Sequence, residues 1–194
     1  MTSRYLLLLL LPVLTLHCAL PPGAPPLPAT VRTIAVLPPN NRTGAPLLVE
    51  SASFWGDPYA ARPGRVTVAD VLAADARAQL ERRGIKVMAP EAVTAAIGNQ
   101  TPGSPEEAAA LVARGKLEGG ALYLEIRRWD ADMSPLHPRR ILVALDAHLI
   151  DAATGQVVWT AHHPLRPVPT PGAITRWVAY TIAARKVAEE LFAP

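Results

Sequence analysis

The chain holds one cysteine, Cys18, and what precedes it decides what that thiol can do. Residues 6–16, "LLLLLLPVLTL", form an apolar run broken only by Pro12 and Thr15 and preceded by Arg4. A bilayer span requires ~20 apolar residues, so the run is too short to cross a membrane. A basic residue followed by a short apolar core is the pattern of a secretory signal, which is removed after export. An exported chain meets oxidising conditions, and a lone thiol there can form no internal disulfide. Cys18 therefore calls for another fate, and covalent modification is the one its position suits.

A cysteine placed directly after a signal core resembles the lipobox of bacterial lipoproteins, in which the thiol is acylated and the signal is cut just before it. On that resemblance residues 1–17 are the signal and Cys18 is the first mature residue and the lipid attachment site. Thr15, Leu16 and His17 depart from the usual pattern of an aliphatic residue followed by two small ones. The alternative is an ordinary secretory signal cut near Ala19 or Ala24, which would leave a soluble periplasmic protein. Ala19 stands where an aspartate typically retains such proteins at the inner membrane, so outer-membrane sorting is the expectation. Five prolines and Gly23 between Pro21 and Pro28 then read as an extended spacer, residues 18–30, of ~3 Å per residue.

Other reactive groups are few. His162 and His163 are adjacent on a strand, so they point to opposite faces and cannot readily grip one metal. His148 and His162 could share a face with Asp146, two residues from His148, and a structural or solvated role is the expectation for them. Glu125, Asp130 and Asp132 read as a charged strand end, not a paired acid and base. There is no G-x-S-x-G, P-loop or G-x-G-x-x-G pattern, so no enzyme, cofactor or metal is expected. Removal of residues 1–17 takes away Arg4 alone among charged groups and lowers the formal charge from +3 to +2. The remaining basic residues are scattered among acids, and nucleic-acid binding is not indicated.

Residues 38–65 lack a periodic pattern, and irregular connections of that length in a compact domain are usually functional or disordered. "SFWGDPY" places three of the ten aromatic residues, Phe54, Trp55 and Tyr59, within this stretch. They are the candidate partner-binding residues, because buried aromatics anchor interfaces. Folding back onto their own sheet is the alternative.

The elements that must position these groups follow from periodicity. A buried strand over 31–37 stops at Pro38 and Pro39. A helix beginning near Val66 carries Val68, Val71, Leu72, Ala76 and Leu80 on one face and ends at Gly84, and a second strand follows at 85–88. Strand, helix, strand implies a parallel pair with a right-handed crossover. Short helices are expected at 90–98 and 105–115, the latter capped by Ser104 with Pro105 at its first position. The period then becomes two over 121–129, 140–150 and 156–162, with a hairpin turn in "DAATGQ". Ile141, Val143, Leu145, Ala147 and Leu149 should face the helices, and Leu122, Leu124 and Ile126 form the apolar side of the preceding strand. A last amphipathic helix, 173–192, would bury Ile174, Trp177, Thr181, Ala188 and Leu191. The expected fold is α/β: a mixed five-stranded sheet, parallel in its first pair and antiparallel in its late meander, with helices mainly on one face, in a single periplasmic domain over 31–194.

"TIAVLPPNNRTG", a helix ending "RRGIKVM", then "GGALYLEIRRWD" and "LDAHLIDAATGQVVWTA" resemble the outer-membrane lipoproteins typified by a neisserial antigen lipoprotein. That group resembles in turn the periplasmic domain of the curli secretion lipoprotein and the N-terminal domain of the Tol translocation protein. The resemblance implies a non-enzymatic accessory lipoprotein for secretion, transport or surface assembly. Its implied partners are the membrane, other envelope lipoproteins or transport components, and further copies of itself. The alternative is a periplasmic ligand-binding or regulatory module acting on an envelope enzyme.

Overall fold

The structure is a computed structural model, and it describes residues 24–49, 66–131 and 139–192. Cys18, the aromatic residues Phe54, Trp55 and Tyr59, and His137 lie outside the described residues. The elements run β1 (Thr33–Val36), β2 (Asn40–Asn41), β3 (Leu48–Val49), β4 (Val66–Thr67), α1 (Val68–Arg82), β5 (Lys86–Val87), α2 (Pro90–Ile97), α3 (Pro105–Gly115), β6 (Gly120–Ala131), β7 (Arg140–Asp151), β8 (Val157–Pro169) and α4 (Arg176–Phe192).

The sheet is mixed, with the continuous path β5-β1-β6-β7-β8 and with β2 as a sixth strand pairing β6. β1 is parallel to both β5 and β6, in the registers Thr33↔Lys86 and Ile34↔Gly120, while β6, β7 and β8 are antiparallel. α1 begins where sequence and chemistry agree. Thr67 accepts the Asp70 backbone N–H on its hydroxyl at 3.3 Å, and the Asp70 carboxylate takes the Thr67 N–H at 2.8 Å, a reciprocal capping box. Val68, Val71, Leu72, Ala76 and Leu80 are all buried, as their spacing predicts. In α3 the Ser104 hydroxyl accepts the Glu107 N–H at 3.2 Å behind Pro105, again as expected.

α1 and α4 cover one sheet face and enclose the larger core. Leu122, Leu124 and Ile126 of β6 and the alternating set Ile141 to Leu149 of β7 pack beneath them. Burial of each such side chain contributes roughly 1.5–3 kcal/mol. α2 and α3 cover only part of the other face, over Leu37, Ala121, Tyr123 and Ile150. The rest of that face is open.

Several expectations shift by local causes. The segment after β1 contains order: Leu48–Val49 pairs antiparallel with Val66–Thr67, so the chain enters α1 from a short strand. α4 starts at Arg176, not 173, which leaves Ile174 in the preceding turn at 70% exposure. Its buried stripe is Ala179, Tyr180, Ala183, Ala184, Val187, Ala188 and Leu191, with Trp177 at the margin. β8 continues past 162 to Pro169 because it is an edge strand, where a proline costs no ladder bond. β6 carries a bulge between Ile126 and Arg128, which turns Trp129 into the core against Tyr180. Gly119 is required at φ +78°, since a Cβ there would stand 2.5 Å from the Thr33 carbonyl oxygen.

The spacer expected over 18–30 is seated on the domain in its second half. Trp159 on β8 donates its indole N–H to the Pro25 carbonyl at 2.8 Å, and Val31 N–H reaches the Pro28 carbonyl at 3.1 Å. Ala24 and Leu27 pack against the larger core, beside the stacked Trp159 and Phe192 rings.

Candidate functional site

The open part of the sheet, with the buried Tyr123 at its covered margin, carries a polar network across four strands. β6 supplies Tyr123, Glu125 and Arg127, β7 supplies Asp146 and His148, β8 supplies Thr160 and His162, and β2 with the residue after it supplies Asn40 and Arg42. Strand alternation aims these side chains away from α1 and α4. Register then sets the pairs: Tyr123 opposite His148, Glu125 opposite Asp146, Asp146 opposite His162, and His148 opposite Thr160.

Two carboxylates directly opposite one another on neighbouring strands repel. Here each accepts from donors on the neighbouring strands. Arg127 reaches Asp146 Oδ2 at 2.8 Å through Nη1 and Glu125 Oε1 at 3.8 Å through Nε, so one guanidinium spans both acids. Arg42 Nη1 donates to Glu125 Oε1 at 3.3 Å, and His162 Nδ1 donates to Asp146 Oδ1 at 2.7 Å. The acids lie low, with side chains 9% and 13% exposed, while Arg42, Arg127 and His162 stand above them at 60%, 59% and 63%. This is an internally compensated polar surface with its donor groups outermost.

The Tyr123 hydroxyl donates to Glu125 Oε2 at 3.0 Å and accepts from Asn40 Nδ2 at 3.2 Å. Burial pushes this phenol up to about 12, so it stays a donor at every physiological pH. Its ring lies over His148 with centroids 6.1 Å apart. Burial holds the His148 imidazole below its ordinary value, against the opposing pull of Asp146, and its Nδ1 lies 3.3 Å from the Thr160 hydroxyl.

The four histidine and carboxylate residues singled out on β7 and β8 separate as their alternation requires. Asp146, His148 and His162 share the open face, whereas His163 is buried on the opposite side. No group of three or more His, Cys, Asp or Glu among the described residues is placed to hold a metal. Asp130 pairs with Arg128 at the far end of β6, away from Glu125. Asn40, Arg42, Tyr123, Arg127 and Thr160 are the members not singled out in the sequence; for Asn40 and Arg42 the signal was the "NNR" after the proline stop, which becomes legible only once β2 is known to lie along β6.

No family model matches the chain, and no curated protein does so either. Solved structures to which it is similar include the PelC dodecamer from Paraburkholderia phytofirmans, at 19% identity over 89% of this chain and 95% of that one, TM-score 0.47. Protein XCC0632 from Xanthomonas campestris is similar at 16% identity over 86% of each chain, TM-score 0.45. Lipoprotein GNA1162 from Neisseria meningitidis is similar at 16% identity over 81% of this chain and 98% of that one, TM-score 0.43. The neisserial lipoprotein anticipated from the sequence is thus among them. No helix among the described residues is long and apolar enough to cross a membrane.

A second feature lies at the carboxyl end of β1. α1 leaves over one face of the sheet and the α2–α3 connection over the other, and such switch points leave a crevice. Here it measures about 850 Å³ and is lined by Pro38, Pro39, Asp70, Arg77, Pro90 and Thr94 among others.

Two histidines give the fold a defined response to acid. His163 Nε2 accepts from Arg166 Nε at 3.2 Å and lies 3.1 Å from Glu190 Oε2; burial first, and then the Arg166 charge, hold its imidazole below the ordinary value while Glu190 opposes them. His148, with Asp146, His162, Glu125 and Glu106 around it, is lowered likewise. Such a group is neutral in both states at high pH and contributes nothing there. Below ~6.5 the unfolded chain takes up the proton and the folded one does not, so stability falls with pH until the folded-state value is reached. Urea unfolding should therefore be nearly constant above pH 7 and weaken below about 6.5, by at most ~1.4 kcal/mol per unit for each histidine. His163→Gln, whose amide oxygen can still accept from Arg166, should reduce that loss.

Proposed function

We propose that this chain is a non-enzymatic accessory lipoprotein of the bacterial envelope, tethered to the outer membrane by acyl groups on Cys18. It docks a protein partner, another envelope lipoprotein, a transport component or a further copy of itself, through the polar face of β2, β6, β7 and β8. The observation that carries the docking part is the compensated network itself: Glu125 and Asp146 are saturated from within, and Arg42, Arg127 and His162 stand exposed in fixed positions. A surface already ordered loses little entropy when a complementary acidic or amide-rich surface meets it. The signal-like run before Cys18, and Ala19 after it, support the tether and its outer-membrane destination.

Chemical cross-linking in intact cells tests the docking. The wild-type chain should give discrete adducts, and Arg42→Ala/His162→Ala, which leaves the Arg127 bridge in place, should lose most of them while keeping the wild-type circular dichroism spectrum. Adducts unchanged in that variant would refute docking through this face. The crevice favours a second reading, a module that binds a small ligand. That reading expects saturable small-molecule binding by a chain that gives no adducts.

A further inference from the structure

The starts of β1, β5, β6 and β8, the end of β7 and the carboxyl ends of α1, α3 and α4 all lie at one end of the domain. The register pairs Thr33↔Lys86 and Gly120↔Asp151, the Ala152 N–H to Gly119 carbonyl bond of 2.8 Å and the Trp159–Phe192 stack establish this. The N-terminal segment reaches the domain at the same end, where Pro25 is held by Trp159. Six peptide units separate Cys18 from Ala24. Even fully extended they span only about 20 Å. A domain anchored at Cys18 cannot stand far off the bilayer, and this end is the one brought to it.

Its chemistry suits that position. Arg32, Arg82, Lys86, Arg114 and Lys116 are exposed there, and none makes an ion pair among the described residues. They outnumber the exposed carboxylates of that end, Glu81, Glu118, Glu189 and Glu190, by five to four, and Glu190 is already paired with Arg166. The Asp151 carboxylate is turned into its own hairpin, accepting the N–H groups of Ala153 and Thr154, each at 2.9 Å. Arg82 and Arg114 complement the carboxyl ends of α1 and α3. Arg32, just before β1, and Lys86, at the start of β5, have no such helix to serve. Beside the Pro25 contact, Val157 and Val158 expose 44% and 42% of their surface.

We infer that this basic end rests on an anionic phospholipid surface, so that the open polar face stands upright, away from the lipid and available to a partner. The inference depends on the Cys18 anchor for the reach of the tether, but the affinity of the basic end for lipid is separable from it. The test uses the mature chain, residues 18–194, carrying Cys18→Ser so that no acyl chain contributes. It is floated with vesicles of phosphatidylglycerol and phosphatidylcholine, or of phosphatidylcholine alone. Binding is expected to the anionic vesicles only, and to vanish in high salt. Arg32→Ala/Lys86→Ala should weaken it about 25-fold, at roughly fivefold per charge, and Arg82→Ala/Lys116→Ala by a similar factor. Arg176→Ala, exposed at the start of α4, should leave it unchanged. No binding, equal binding to both vesicles, or equal weakening by Arg176→Ala would overturn the inference. Failure of the anchor reading would register elsewhere, as an unmodified Cys18 in the native protein.

Discussion

Changing Cys18 to serine is expected to move the protein from the membrane pellet to the periplasmic fluid. Each buried methylene of an acyl chain contributes ~0.8 kcal/mol to membrane affinity, so the loss of two or more chains lowers partitioning by many orders of magnitude. What remains is the electrostatic contact of the basic end, which a salt wash removes. The fold should not change, because the first residues seated on the domain, Ala24 and Pro25, lie beyond the substituted position. An unaltered circular dichroism spectrum alongside a shifted fractionation is the expected pair of results. A serine variant that still pellets after washing in high salt would show that something other than an acyl anchor holds the protein.

Arg127→Ala is expected to have the largest effect on the sheet itself. Glu125 and Asp146 are a directly opposed cross-strand pair, and Arg127 is the one guanidinium among the described residues that reaches both. Its removal leaves Arg42 on one acid and His162 on the other, with the mutual repulsion no longer bridged. A loss of ~1–2 kcal/mol is expected by urea unfolding, the side chain being partly exposed and its charge partly screened. Lysine should rescue poorly, since a single ammonium cannot reach two acids with a fixed fork. Arg127→Ala/Asp146→Asn should recover most of the loss by removing one of the repelling charges. If the double variant is no more stable than Arg127→Ala, the repulsion between the acids is not what the arginine offsets.

How legible this was in the sequence varied with how local the cause was. The face of α1 and the inward set of β7 followed from periods of 3.6 and two, because each element is long enough for its pattern to repeat. The placement of Asp146, His148 and His162 on one face followed from the same alternation. Trp129 is different: its burial depends on a bulge, an event with no clear local mark in "EIRRWD". β2, β3 and β4 have two residues each, too few to show any period, and exist because neighbouring strands supply hydrogen bonds. Arg42 therefore looked like part of a loop. The strand expected over 156–162 runs on through three prolines as an edge strand, since only tertiary position reveals which side of a strand lacks a partner. The seating of Pro25 on the domain escaped for a similar reason: the Trp159 indole that holds it is 134 positions away in the chain.

The tether, the closeness of the basic end to lipid and the outward presentation of the polar face all depend on Cys18. Mass spectrometry of the N-terminal peptide from native membranes tests that most directly. The account predicts a peptide that begins at Cys18 and carries the mass of acyl groups on it. A peptide beginning at Ala19 or Ala24, or one with a free thiol at Cys18, would contradict it.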